Sequence, residues 1–291
     1  MEHSGSGASM NVFLTGGSGL VGRRVLAHLL QQGHRVHALA RSAAAAQRVR
    51  EAGAMVVASL ALYRRAAAQG VRRFIYISSE SVMQGRGELL DIDASQLYAD
   101  PPNSDYGKAK KAAEIALREA FAQAPACELI ILRPAFVWSR QAPAVQGIRQ
   151  RVRQGQFMWI DHGRRPFEAV HVDNVARAVA CALQRGQPGH VYLVTDGRPW
   201  TARELLGPLL RAGPDGMQVP EHSFPSAVAR PLAAVVEALW RALDRWENAP
   251  PISRFDVAFL SQGRRYRIQE TVSDLGYRPV SYVPGTDDAP A

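Results

Sequence analysis

The segment Thr15-Gly-Gly-Ser-Gly-Leu-Val-Gly22 constrains this chain more than any other. It follows a short apolar run, Asn11 to Thr15 (NVFLT), of the kind that forms a buried parallel strand. It precedes Leu20 to Gln32, whose apolar residues at 21, 25, 26, 29 and 30 mark one helical face. Gly33 supplies a C-terminal cap, and Arg35 to Ala40 (RVHALA) reads as a second strand. Strand, glycine turn, helix and strand in that order make a βαβ unit. In such a unit Gly16 permits a tight turn, Gly19 lets the backbone approach a pyrophosphate, and Gly22 lets the helix pack on its strand. The backbone around Ser18, Gly19, Leu20 and Val21, at the positive end of the helix, then forms an anion cradle. The bland alternative is a tight turn with no ligand.

An acidic residue about 20 positions past the glycines would bond a ribose 2′-hydroxyl. Here the second strand ends Ala40-Arg41-Ser42. Arg41 cannot accept that bond but can pair with a 2′-phosphate, so the expected cofactor is NADP, with NAD left open.

Further along, Ala43 to Ala52 reads as a helix, Met55 to Val57 as a weak strand and Leu62 to Gln69 as a helix stopped at Gly70. Arg73 to Ile77 (RFIYI) is a strong strand, Tyr106 to Phe121 a long helix, and Leu129 to Leu132 a buried strand ended by Arg133-Pro134. Asp173 is the expected cap of a helix over 174–184, and His190 to Val194 a further strand. Thr201-Ala-Arg-Glu204 is a capping box, with Trp200 and Leu205 as its hydrophobic staple. Ala227 to Leu243 is apolar but interrupted by Arg230, Glu237 and Arg241, which fits an amphipathic helix over a pocket or partner surface.

Tyr106 and Lys110 lie four apart at a helix start and so share a face. A free phenol, with a pKa of about 10, is a poor acid or base at neutral pH. An ammonium beside it stabilises the phenolate, and hydride transfer to or from a carbonyl needs such a proton donor and acceptor. The chain's three lysines, at 108, 110 and 111, all cluster here, while arginine is used everywhere else. Lys108 and Lys111 are expected to face solvent. Ser78 and Ser79 close the RFIYI strand at its carboxyl end, where ligands of parallel sheets sit and where a hydroxyl can hydrogen-bond a substrate oxygen.

Together TGGSGLVG, YISSESV, the Tyr106/Lys110 pair, ILRPAFVW (131–138) and HVDNVARAV (171–179) resemble the extended short-chain dehydrogenase/reductase family. The tail RYRIQETVSDLGYRP (265–279) resembles its 3β-hydroxysteroid-dehydrogenase-like or NAD-dependent epimerase branch. The resemblance runs in order from Met10 to about Gly285. It implies an α/β fold: a Rossmann-type doubly wound parallel sheet with a smaller C-terminal substrate lobe. It also implies Tyr106 as general acid/base, Lys110 on the nicotinamide ribose and tuning Tyr106, Ser79 rather than Ser78 as the catalytic serine, and Pro134 near the nicotinamide. Residues 1–9 then read as a disordered lead-in, 10–184 as the dinucleotide-binding core with 140–166 contributing to the substrate lobe, and 185–291 as that lobe and a tail.

One departure stands out. Val12 and Ile75 are only 63 positions apart, whereas a doubly wound sheet needs several crossovers there, each βαβ unit taking roughly 30 residues. The family's adenine-contacting Asp, its His-Leu-Ala-Ala-like segment and its helix asparagine are all missing. About one βαβ unit is expected to be lost, including the strand that pairs with both the first and the RFIYI strand. That loss would open the cofactor floor and weaken catalysis and stability.

The remaining features narrow the class. A 47% hydrophobic content can supply a sizeable core. The net charge of +9 comes from scattered arginines without interleaved aromatics, so nucleic acid is not the expected partner. Cys127 and Cys181 fit neither a disulfide framework nor a metal site, which suits a reducing cytosol. The start of the chain has no apolar core of a signal peptide, and no run is long enough to span a bilayer. His34 with His37, and His162 with His171, lack metal-ligand spacing, and no G-x-S-x-G elbow appears. Arg149, Arg151 and Arg153 read as a solvated face, and Met158, Trp159 and Phe167 as core. The expected activity is NAD(P)-dependent oxidation or reduction of a hydroxyl or ketone on a small apolar molecule. The alternatives are a nucleotide-sugar epimerase or dehydratase, and a non-catalytic NADP-binding regulatory or assembly protein. A homodimer is compatible with each.

Overall fold

The computed structural model describes residues 9–16, 19–39, 52–85, 87–95, 98–123, 125–212, 217–243 and 250–286. Strand β1 (Asn11–Thr15) leads through Gly16 and Gly19 into helix α1 (Leu20–Gln31), which returns to β2 (Arg35–Leu39), parallel to β1 with Asn11 opposite Arg35. Gly33 makes the turn after α1 at φ +78°, a backbone conformation that favours glycine. Helix α2 (Ala52–Ala68) follows, then β3 (Arg73–Ile77), β4 (Leu89–Ile92), α3 (Asp105–Gln123) and β5 (Glu128–Pro134). Next come β6 (Phe136–Trp138), α4 (Pro143–Arg153), β7 (Trp159–Ile160), β8 (Pro166–His171), α5 (Val172–Gln184) and β9 (Val191–Val194). The chain closes with β10 (Pro199–Thr201), α6 (Ala202–Arg211), β11 (Ser223–Phe224), α7 (Ser226–Ala242), α8 (Arg254–Ser261), β12 (Arg264–Tyr266) and α9 (Gln269–Leu275).

The central parallel sheet is in two pieces. β1 pairs with β2, while β3, β5 and β9 form a separate three-stranded sheet in that order. Among the described residues no strand bridges β1 and β3, which is the break anticipated from the short Val12–Ile75 interval. What joins the pieces is side-chain packing. Val12, Leu14, Val21 and Val36 share one apolar cluster with Ile75, Ile77 and the α5 residues Val175 and Val179, and α1 packs along α5. On the opposite face, α2 and α3 cover only the larger sheet, through Tyr63, Tyr76, Leu117, Leu129 and Ile131. Among the described residues nothing packs on the same face of the small sheet. Asn11, Phe13 and Thr15 alternate with half-buried neighbours and point to solvent, and Phe13 is 61% exposed. Parallel sheets are ordinarily covered on both faces; among the described residues no helix covers this one.

A second apolar cluster lies in the lobe built from α4, α6, α7 and α8 around Trp138, Trp159, Phe167, Leu205 and Val257. Asp196, after β9, ties this lobe to the core. Its carboxylate accepts from Trp138 Nε1 at 2.7 Å, Asn174 Nδ2 at 2.7 Å and the His171 backbone N–H at 2.8 Å.

Several local expectations change. Met55 to Val57 is no strand but part of α2, which begins ten residues before Leu62; an alanine-rich run with few β-branched residues favours helix. The α5 cap is His171, whose Nδ1 accepts from the Asp173 N–H, so Asp173 sits inside the first turn. Arg149 is buried and donates to the Leu209 carbonyl, and Arg151 pairs with Asp256 at 2.9 Å, so this run is not a uniformly solvated face. Lys111 reaches the Ala99 carbonyl and Asp100 instead of open water. The capping box at Thr201/Glu204 forms as expected. The expected helix over 43–52 lies almost wholly outside the described residues.

Candidate active site

The glycine turn stands at the carboxyl end of β1. Gly16 adopts φ +71°, and its carbonyl accepts from the Gly19 N–H at 2.9 Å. Gly19 is the N-cap of α1 and offers no side-chain cap, and no acidic residue occupies the first turn. The first N–H groups of a helix have no partner within it. Here those of Leu20, Val21 and Gly22 present donors that suit an anion at the positive end of the helix dipole. Ser18 and Arg41 lie outside the described residues.

The second group of residues gathers beyond the carboxyl end of β3. Ser79 is extended (φ −162°, ψ 151°) and caps a single 3-10 turn, Glu80–Val82. Its Oγ accepts from the Ser81 N–H at 3.2 Å and lies 3.0 Å from the Ser81 Oγ. The first turn of α3 brings in Tyr106, which is 52% exposed, beside Ser79. Protein around the phenol pushes its pKa up, and the Ser79 hydroxyl offsets part of that rise. One turn on, Lys110 Nζ donates to the Ile77 carbonyl at 2.8 Å and lies 5.9 Å from the centre of the Tyr106 ring. Burial brings the lysine down to about 8, against the pull of Glu114. At neutral pH it is still the charged ammonium that the sequence argument requires. The acidified phenol expected from that argument is not seen: burial raises the Tyr106 pKa, and only the Ser79 hydroxyl draws it down.

The structure thus brings Ser79, Tyr106 and Lys110 together. Pro134 ends β5, buried and in register with Val194. Ser78 turns inward instead: its N–H donates to the Leu132 carbonyl and its hydroxyl is buried.

Three supports escaped the sequence reading. Gly107 lets α3 approach the Ser79 turn, since a Cβ there would lie 2.5 Å from the Ser81 carbonyl oxygen. A glycine inside an otherwise good helix was its signal, because glycine costs about 1 kcal/mol there unless packing requires it. Glu114 and Arg133 form a fully buried ion pair, closing at 2.7 Å beneath Lys110. Glu80 accepts a hydrogen bond from the Tyr266 hydroxyl, which pins the Ser79 turn to β12. These last pairings join residues far apart in the chain and had no local signal.

A profile of the NAD-dependent epimerase/dehydratase family matches the chain over residues 12–57 and 50–195, two stretches that meet where the sheet is broken. The chain is similar to the 4-hydroxy-2-methyl-3-oxo-4-farnesyl-3,4-dihydroquinoline-1-oxide ketoreductase of Stigmatella aurantiaca, 28% identical over 92% of each chain. It is also similar to the 2-alkyl-3-oxoalkanoate reductase of Stenotrophomonas maltophilia, 24% identical over 93% of this chain and 95% of the relative. These alignments run over 311 and 318 positions, more than the 291 residues present here. Among solved structures, that of RMD from Pseudomonas aeruginosa complexed with NADPH shares the fold with a TM-score of 0.62 at 19% identity, covering 96% of each chain. A glycine turn before an uncapped helix, a tyrosine–lysine pair over the next sheet and a family profile spanning both place this chain in the NAD-dependent epimerase/dehydratase family of extended short-chain oxidoreductases.

Proposed function

We propose that this protein is an NADP-dependent ketoreductase or alcohol dehydrogenase acting on a small apolar substrate, with Tyr106 as its general acid/base. The convergence of Ser79, Tyr106 and Lys110 at the end of β3 carries this reading. The residues fit the cofactor at both its ends. The uncapped α1 N-terminus suits a diphosphate, and the Lys110 ammonium, held by the Ile77 carbonyl, suits ribose hydroxyls. Arg41 supports NADP over NAD by its charge. When bound, the nicotinamide supplies or takes up the hydride. The Ser79 hydroxyl orients the substrate oxygen, and the Tyr106 hydroxyl gives that oxygen its proton or removes it.

The lobe supports an apolar substrate. A cavity of about 90 Å³ there is lined by Ile148, Phe157, Met158, Ile252, Phe259 and Leu260, with Arg151 and Asp256 paired at its wall. Phe259 lies against Phe136, two residues past Pro134, with ring centres 5.0 Å apart and planes tilted by 51°, so the cavity wall continues toward the catalytic end of β5. Two similar proteins named above are reductases of ketones bearing farnesyl or alkyl chains. A nucleotide sugar would instead call for basic residues free to hold its diphosphate, and the cavity's arginine is already paired.

The break between β1 and β3 favours a second reading, a non-catalytic NADP-binding protein. Titration with NADPH and NADH, followed by turnover on 3-oxo substrates of increasing alkyl chain length, separates the two. Tight NADPH binding with chain-length-dependent turnover supports the reductase. Binding without turnover on any ketone supports the second reading.

A further inference from the structure

Lys110 carries its charge into a place with little hydrogen bonding to hold it. Burial brings it down to about 8. Among the described residues its ammonium makes one hydrogen bond, 2.8 Å long, to the Ile77 carbonyl. Glu114 is the carboxylate that pulls in favour of the charge, but both of its oxygens already accept from Arg133. The phenol of Tyr106 is pushed up by burial and stays neutral. The remaining neighbour is aromatic. Tyr76 precedes Ile77 on β3, and Lys110 Nζ lies over its ring, 4.8 Å from the centre, against 5.9 Å for the ring of Tyr106. Tyr76 is buried in the apolar cluster between the larger sheet and helices α2 and α3. Burial, the largest influence on its phenol, pushes it up, so Tyr76 meets the ammonium as a neutral ring and not as a phenolate.

We propose that Tyr76 is a positioning residue for Lys110: the face of its ring, together with the adjacent Ile77 carbonyl, holds the ammonium charged and fixed at the end of β3. The bland alternative is a core tyrosine that merely touches a lysine. Geometry and charge favour the first. A cation within about 6 Å of a ring centre is drawn to the negative face of the ring, and more strongly once both are out of water. Both are buried here. The charged partner that could have done the same work is engaged by Arg133, so the ring is what offsets the lost hydration. Ring and carbonyl also come from consecutive residues of one strand, so the ammonium is held at two points by the same stretch of rigid backbone. A desolvated contact of this kind favours the charged form roughly tenfold, which is about one pH unit of proton affinity. That the ammonium then serves a cofactor ribose rests on the reading above.

The chain has only three lysines, which makes the test direct. The full chain is produced with lysine carrying carbon-13 at Cε, and the three signals are followed by NMR as pH is raised. Lys108→Arg and Lys111→Arg each remove one signal and so assign that of Lys110. It is expected to titrate near 8 in the wild type and roughly one pH unit lower in Tyr76→Leu. Tyr76→Phe keeps the ring and should leave the midpoint in place. Ring fluorination weakens the negative face at nearly constant shape. Replacing Tyr76 by phenylalanines of increasing ring fluorination should therefore lower the midpoint stepwise, and this series decides the matter if the leucine variant does not fold. A Lys110 midpoint unmoved by leucine or by fluorination overturns the proposal. So does a midpoint that rises in Tyr76→Leu, the mark of water entering a loosened core. A Tyr76→Phe midpoint as low as that of Tyr76→Leu would assign the effect to the hydroxyl and overturn it as well. The titration uses neither cofactor nor substrate, so its failure and that of the ketoreductase reading are told apart.

Discussion

Replacing Gly107 with alanine tests how the site is assembled. The added Cβ would stand 2.5 Å from the Ser81 carbonyl oxygen and 3.1 Å from both Pro102 Cβ and Ser104 Oγ. Ordinary contacts begin near 3.4 Å, so α3 and the Ser79 turn must separate by close to 1 Å. The nearest atom is backbone, so no flexible side chain absorbs the strain. The displacement acts between Ser79, which caps that turn, and Tyr106, the neighbour of Gly107. A misplacement of about 1 Å can cost roughly 100-fold in turnover, so kcat should fall about 10- to 100-fold. The stability change is smaller: overpacking costs about 1–3 kcal/mol, partly offset by up to ~1 kcal/mol from removing a helical glycine. For a chain of this size, about 2 kcal/mol lowers Tm by only several degrees. Gly147→Ala is the control, because a Cβ there meets nothing within 4 Å. Steady-state NADPH oxidation with a ketone substrate, alongside melting curves, reads both quantities. Wild-type kcat and Tm in Gly107→Ala would refute the close-approach reasoning.

Three further outcomes follow from buried charge. Lys110 titrates near 8 when folded, against 10.5 unperturbed. The unfolded chain therefore keeps this proton to higher pH, the cost of the buried ammonium is fully present below pH 8, and stability rises with pH from about 8 to 10.5. Lys110→Met should abolish that rise in Tm and lose cofactor affinity, and an unchanged pH slope would argue against it. Glu168 is held up near 7, first by burial and then by the neighbouring Glu80. The folded chain thus holds a proton that the unfolded chain has already lost, so stability falls as pH rises from about 4.5 to 7. Glu168→Gln should gain Tm relative to wild type across that window, and parallel curves would contradict this. Arg133→Met strands the fully buried Glu114 carboxylate and should cost about 3–5 kcal/mol in chemical denaturation. Adding Glu114→Leu should restore most of it; a single variant as stable as wild type would show the pair to be dispensable.

The glycine turn, the RFIYI strand and the Tyr106 helix were legible because each carries its own local signal: small residues, β-branched and aromatic residues, or helical periodicity. The lack of a strand between β1 and β3 among the described residues was legible from chain length alone, since 63 positions cannot hold the expected crossovers. α2 was misread at Met55 because a three-residue apolar run does not distinguish strand from helix, and alanine-rich context decides it. The His171 cap was missed because aspartate is the commoner capping residue, and only coordinates show which side chain turns back. The Glu114–Arg133 pair, the Glu80–Tyr266 bond and the Arg149–Leu209 contact depend on tertiary placement, to which periodicity is blind. The exposure of Leu232 and Leu239 on α7 was equally hidden: the pattern announces an apolar face but not which way it points.

The most direct test of the proposed chemistry is label transfer. Purified protein is incubated with NADPH deuterated at C4, in each stereochemical form, and a long-chain 3-oxo substrate, and the product alcohol is weighed by mass spectrometry. Deuterium should appear at the carbinol carbon from one form only, at a rate reduced at least about 100-fold in Tyr106→Phe while NADPH binding is retained. Product without label, equal rates with Tyr106→Phe, or tight NADPH binding with no alcohol from any ketone would contradict the assignment of Tyr106 as the proton donor of a reductase.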